Sequence, residues 1–414
     1  MLKKTKKLWR LLGPGFITGA SDDDPSGIAT YSQAGAQFGL KTLWTAWVTL
    51  PMMIVVLEMF SRLSLVTSRG LAKNLRLHYS KWFIYFVIIL TLPAIVFNIG
   101  ADLAGMGAVA NLMFPAVSSS VFSAIFAILI IMLLVYFSYE RMAATLKWLC
   151  LALLVYFVVP FLVKQDWLEV LKHTAIPTIK WSRDYIYIIV AIIGTTISPY
   201  LFFWQSSMCL EHKNHRKLVM KVDAQMEEMQ LDVNIGMVFS NLAMFFIILT
   251  AASVLYPAGV TNIETVEQAA AALKPLAGEY AYILFAVGVI GTGLLSIPVL
   301  AGSIAYFLSD MFDWTVGIDK KWSEARNFYL VGGGAIVVGF IFSLSELTAI
   351  EALVYTAVAY GVTCPPMIAL ILHMCNNEHV MHHHTNNWVT NLIGGLALVI
   401  TSLAALALIL NYFV

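Results

Sequence analysis

The sequence predicts an all-α integral membrane protein with eleven transmembrane helices, in which spans one to five and six to ten form two halves of opposite orientation and spans one and six are broken. Three observations carry that prediction. Only 12% of the 414 residues are charged and 60% are hydrophobic, with a mean hydropathy of +0.80, whereas an ordinary soluble domain carries about 25% charged residues. Apolar runs recur along the whole length, each long enough for the roughly 20 helical residues that cross a hydrocarbon core. Two of these runs hold a short polar stretch with a proline, which removes a backbone donor and breaks the helical ladder. They are Ser21-Asp22-Asp23-Asp24-Pro25-Ser26-Gly27 and Gly194-Thr195-Thr196-Ile197-Ser198-Pro199-Tyr200, with the prolines 174 residues apart.

Taken in order, the spans are 11–36, 42–66, 83–113, 118–138, 145–164, 184–210, 233–256, 279–311, 327–344, 349–374 and 388–412. Several exceed the minimum, so tilts or kinks are expected. The longest loops, 211–232 and 257–278, leave no room for an extramembrane domain. Orientation follows from the basic residues, which accumulate on cytoplasmic loops. With the N-terminus inside, the inner segments hold 19 Lys and Arg and the outer segments 6. The N-terminus is therefore expected in the cytoplasm and the C-terminus outside, in a cell membrane of bacterial inner-membrane type. An odd number of crossings per half makes 1–164 and 184–374 inverted repeats within a single membrane domain, 1–414, with 388–412 an additional helix.

The remaining composition narrows the functional classes. A net charge of +1 gives no basis for nucleic-acid binding. Cys150, Cys209, Cys364 and Cys375 show no metal-binding spacing and read as small buried hydrophobes. Lys3-Lys4-Thr5-Lys6-Lys7 looks like the start of a signal peptide, but no small-residue cleavage site follows, so a retained first span is expected.

Pro14 suits the first turn of a helix. Ten residues on, at roughly 15 Å of helical rise, the chain reaches Asp24, about half the hydrocarbon thickness. A carboxylate there costs about 2.5–3.5 kcal/mol, so Asp22, Asp23 and Asp24 line a wet cavity, meet a cation, or both. Successive helical side chains diverge by about 100°, so one or two of the three reach the ion. For any one of them the alternative is a cap on the half-helix after the break. Ser21, Asp23 and Asp24 are the candidate ligands here. The second break offers the hydroxyls of Thr195, Thr196, Ser198 and Tyr200, freed carbonyls, and Gln205 further along. Singly, such hydroxyls are more often helix-packing groups. Paired broken helices at matching positions point to a midplane site in an inverted-repeat transporter, and the carboxylates make its natural cargo a cation.

Gly13-Pro14-Gly15-Phe16-Ile17, Asp24-Pro25-Ser26-Gly27-Ile28-Ala29-Thr30, Ala34-Gly35-Ala36 and Asp102-Leu103-Ala104 resemble the NRAMP family of divalent metal transporters. That family reads Asp-Pro-Gly-Asn in its first broken helix, Asp-Leu-Ala-Glu in span three and Met-Pro-His where this chain has its second break. The resemblance covers nearly the whole chain and implies the LeuT-like fold, with Asp24 as a metal ligand. Gly27 stands where the family has its Asn ligand, Ser198 where it has Met, Tyr200 where it has His, and Gly105 where it has Glu. A thioether favours softer transition metals over Mg²⁺. A hydroxyl removes that bias, Gly27 with Ser198 is expected to widen the site, and a roomy oxygen site suits a partly hydrated Mg²⁺. These substitutions resemble the NRAMP-related magnesium-transporter branch. The expectation is transport of Mg²⁺ with Mn²⁺ also accepted, as cargo in a lipid bilayer and with no cofactor. A proton-coupled Mn²⁺ or Fe²⁺ carrier is the alternative.

None of the nine histidines lies near the middle of a span, which leaves Asp24, Asp102, Asp22, Asp23 and Glu58 as proton acceptors. A divalent cation falling through 100 mV gains about 4.6 kcal/mol, or roughly 2,000-fold accumulation, so uptake needs no proton. Glu58 also suits a pair with Arg62 at i+4. The Asn376–His384 loop, with four histidines, reads as a solvated cytoplasmic loop, with a low-affinity exit or regulatory metal site as the alternative. Glu264, Glu267 and Glu279 make the outer 257–279 region mildly acidic. The glycines at 288, 291, 293 and 332–334 are expected to allow close helix packing. Among rival classes, a membrane enzyme lacks its motifs (HExxH, GxGD, Ser with His). A sodium-coupled amino-acid carrier would have its substrate carboxylate repelled by Asp22–Asp24, and nothing resembles a channel filter.

Overall fold

The computed structural model describes residues 18–19, 21–137, 153–215 and 222–413, and every regular element among them is helical. The expected first and fifth spans run into 11–17, 20 and 145–152, so they, Pro14 and Cys150 lie partly or wholly outside the described residues. Helix α1 (Pro25–Phe38) starts directly after the first break, with Pro25 in the first turn, where its missing N–H is no loss. α2 (Trp44–Thr67), the short α3 (Leu71–His78), α4 (Lys81–Met113) and α5 (Ser119–Tyr136) follow. Ser80 caps α4 by accepting from Phe83 N–H. After residue 153 come α6 (Leu154–Leu162) and α7 (Trp167–Ala175), the latter capped by the Asp166 carboxylate.

The second half repeats the theme. α8 (Arg183–Thr196) stops at Ile197-Ser198, and Pro199 opens α9 (Pro199–His215). α10 (Val222–Val254), α11 (Ala281–Met311), α12 (Arg326–Ser343), α13 (Ala349–Cys375) and α14 (Trp388–Phe413) complete the chain. Among the described residues, nine helical stretches are long and apolar enough to cross a bilayer. α1 packs on α10 and α13, α8 on α13, and α4 on α11, α12 and α13, so the two breaks lie within the helix cluster. α5 and α14 present apolar side chains outward, such as Ile125, Ile128, Leu392 and Leu403, which fits a lipid-facing position.

Two expectations are corrected. Residues 222–232 are not loop but the first turns of α10, because Met229 and Val233 bury against the core and extend the helix to 33 residues. Of the glycines expected at close helix contacts, Gly293 and Gly332 are at them, a Cβ falling 2.4 Å from Met106 Sδ and 3.0 Å from Leu134 Cδ2, but tighter backbone contacts lie elsewhere. A Cβ at Gly194 would fall 2.0 Å from Ala357 O, and one at Gly35 2.3 Å from Ile248 O, whereas Gly288, Gly333 and Gly334 face open space. Only bare backbone lets α8 meet α13, and α1 meet α10, this closely. Cys209, Cys364 and Cys375 are buried free thiols, as expected.

Candidate functional site

Asp24 does two things at once. It caps α1, its Oδ1 accepting from Gly27 N–H at 2.7 Å, and its Oδ2 accepts from Asn98 Nδ2 on α4 at 2.8 Å. The cap and ligand readings therefore do not compete, because a carboxylate has lone pairs for both. Asp102 lies one helical turn beyond Asn98 on the same face of α4 and accepts from Ser296 Oγ of α11 at 3.3 Å. The Asp24 and Asp102 carboxylates lie near one another, beside the Ser26 backbone N–H. The Ser26 side chain turns the other way, donating to Leu353 O of α13 at 2.7 Å.

Asp22 and Asp23 form a second group. Ser240 of α10 meets Asp22 Oδ2 at 2.7 Å and Asp23 Oδ1 at 3.3 Å. All four carboxylates are at most 2% exposed. Asp22 Oδ1, Asp23 Oδ2 and Asp102 Oδ1 have no hydrogen-bond partner, and among the described residues no basic side chain neutralises any of the four. Buried anions without counter-charge are costly, so these carboxylates call for a cation or for protons.

The second break closes over the first. Tyr200 OH donates to Ser21 O at 3.0 Å, and Tyr31 OH and Thr196 Oγ1 lie 3.1 Å apart. Ser198 directs its hydroxyl hydrogen back onto the end of α8, toward Gly194 O at 3.0 Å and Thr195 O at 2.7 Å, which leaves its oxygen lone pairs free to accept. A Cβ at Gly27 would meet Thr195 Oγ1 and the Tyr31 ring at 3.4 Å, an ordinary van der Waals contact. Gly105 is more tightly covered, its Cβ position lying 3.1 Å from Leu353 Cδ1. Gln205 is not with the carboxylates; its Oε1 accepts from Thr18 Oγ1 at 2.5 Å. Glu58 pairs with Arg62 at 3.0 Å, away from the breaks.

Asn98, Ser240 and Ser296 were missed from sequence. Asn98 left a signal, since it sits four residues before Asp102 in an apolar helix. Ser240 and Ser296 left none, because each is one small polar residue among many. At the far end of α1 a cavity of about 480 Å³ is lined by Gln33, Gln37, Asn262 and three carboxylates, Asp184, Glu264 and Glu351. The acidic character expected near residue 264 is therefore gathered above the breaks with groups from α8 and α13.

A family model described as "Natural resistance-associated macrophage protein-like" matches residues 15–411. The chain belongs to the Nramp family. Curated Nramp-type relatives include the divalent metal cation transporter MntH of Vibrio campbellii, 26% identical over 396 residues, covering 94% of this chain and 89% of that one. MntH of Klebsiella pneumoniae is 27% identical over 304 residues, 71% of each chain. Among solved structures, the Eremococcus coleocola manganese transporter superposes with a TM-score of 0.75 at 20% identity, covering 96% of this chain and 86% of that one. Mhp1, a nucleobase-cation-symport-1 family transporter, gives 0.59 at 13% identity, covering 97% and 90%. The Nramp chain described here thus has the LeuT-like fold, shared with carriers of quite different cargo, so its cargo is argued from the breaks themselves.

Proposed function

We propose that this chain is a divalent metal cation transporter that carries Mg²⁺, and Mn²⁺ as well, by alternating access, with its N-terminus in the cytoplasm. The observation that carries the reading is the set of three buried carboxylates at the first break and a fourth, Asp102, on α4, without basic partners among the described residues and with three oxygens unpaired. Asp24 is the principal ligand and Asp102 the second charge. Ser198 and freed carbonyls complete a set in which every atom the two breaks contribute is oxygen, the donor type that hard cations prefer. The names of the MntH relatives support the divalent-cation part of this reading. Repeats 1–164 and 184–374 are supported by matching contacts, since α4 meets α5 as α11 meets α12.

Voltage suffices to drive uptake, because Tyr200 and Gly105 replace the titratable groups implied by the family motif. One observation favours a second reading, proton-coupled transport: Asp102 Oδ1 is buried and unpartnered, a suitable seat for a proton. Purified protein in vesicles with an imposed potassium-diffusion potential tests both, with Mg²⁺, Mn²⁺ and leucine offered in turn. Voltage-dependent metal influx with no leucine influx supports the proposal. Leucine uptake without metal uptake would refute it.

A further inference from the structure

The loop between α13 and α14, expected to be merely solvated, is held in place from below. Arg62 of α2, only 8% exposed, donates to the carbonyls of His384 at 3.0 Å and Thr385 at 3.1 Å and to Asn386 Oδ1. Glu58 fixes the guanidinium from its other side at 3.0 Å, and Asn386 Nδ2 donates to Asn391 Oδ1 at 2.9 Å. The pinned loop brings the His383 and His384 rings together, centroids 3.9 Å apart and planes tilted by 41°. Both face Asp223 in the first turn of α10, with His384 Nδ1 3.8 Å from Asp223 Oδ1. One ligand atom from each of the three residues lies within 4.8 Å of the other two. Atoms bound at the roughly 2.0–2.2 Å typical of nitrogen and oxygen ligands to a first-row ion lie at most about 4.4 Å apart, so small side-chain rotations, open to the exposed Asp223 and His383, bring the three to a common centre. Asp223 is 71% exposed, so water has access to the remaining coordination positions. A cavity of about 390 Å³ opens beside the cluster, lined also by Glu58, Gln230 and Asn234, at the opposite end of the helices from the acidic cavity.

We propose that Asp223, His383 and His384 form a second metal site, separate from the helix breaks, that binds a divalent transition ion of the Zn²⁺, Co²⁺ or Ni²⁺ type in preference to Mg²⁺. Imidazole nitrogen suits late first-row ions, whereas Mg²⁺ demands oxygen and retains its water. The chain would then read two classes of divalent ion at two places, hard ions at the breaks and softer ones at this face. A bound ion also bridges the start of α10 to the α13–α14 loop. Through Ser240, α10 is the helix that holds Asp22 and Asp23.

Co²⁺ titration of the detergent-solubilised full chain tests this, followed by calorimetry and by visible absorption. The work is done in an Asp24→Asn background, so that a failure of the transport-site reading remains separable. The readout is the number of Co²⁺ ions bound per chain. The expected result is that His383→Ala with His384→Ala removes one ion per chain, that Asp223→Asn weakens the same ion about tenfold, and that His379→Ala with His382→Ala changes neither. All of these side chains but the 13%-exposed His384 lie at the surface, and His384→Gln serves as a milder variant if the alanine pair disturbs the loop. Unchanged Co²⁺ stoichiometry and affinity in the His383/His384 variants, or equal affinity for Mg²⁺ at the site, would overturn the proposal.

Discussion

Replacing Asp24 by asparagine separates the two roles of that carboxylate. Alanine removes the cap on α1, worth about 1 kcal/mol, and leaves Asn98 Nδ2 without its acceptor, worth about 1–3 kcal/mol more. A structural loss of about 2–4 kcal/mol would blur any transport result. Asparagine preserves the cap, since Asn and Asp are nearly equal there. Asn98 can rotate its amide to offer Oδ1, which now has no partner, to the new amide. Only the negative charge is lost. Breaking a buried ion pair costs about 3–5 kcal/mol, so metal uptake is expected to fall by roughly 100-fold to several thousand-fold. The thermal midpoint of the detergent-solubilised protein should stay within a few degrees. Initial rates of Mg²⁺ and Mn²⁺ uptake into vesicles, with the melting curve as control, make the comparison. Asp24→Asn transporting within about threefold of the parent chain would refute Asp24 as the ligand.

Three further outcomes are expected. Ser198→Met should raise Cd²⁺ uptake relative to Mg²⁺, because it supplies a thioether at the break; an unchanged ratio of the two rates, also in combination with Gly27→Asn, would place Ser198 away from the ion. Asn98→Ala should raise the KM for metal by about ten- to a hundredfold, the usual range for a group that orients a ligand, while an unaltered KM would show that Asn98 does not position Asp24. Inside-negative voltage should accelerate metal influx while internal pH stays flat; metal-dependent acidification that Asp102→Asn abolishes would establish proton coupling instead.

Helical class, the broken runs at Pro25 and Pro199, and the importance of Asp24 were legible in the sequence because they rest on local physics. A proline interrupts whichever helix contains it, and a carboxylate in an apolar run needs an explanation wherever the run ends up. The family resemblance reached the same fold through motifs that survive at low identity. The partners of each carboxylate were not legible, because they come from helices distant in the chain. Asn98 reaches Asp24 from α4, Ser240 reaches Asp22 and Asp23 from α10, and Ser296 reaches Asp102 from α11. The same holds for the space at Gly105, where Leu353 of a distant helix packs close to the missing side chain, since close packing leaves few voids unfilled. Sequence alone thus determined where charge had to be buried and which backbone had to open. Tertiary structure alone decided which side chains meet that charge, because helix packing brings together residues whose separation along the chain carries no signal of their contact.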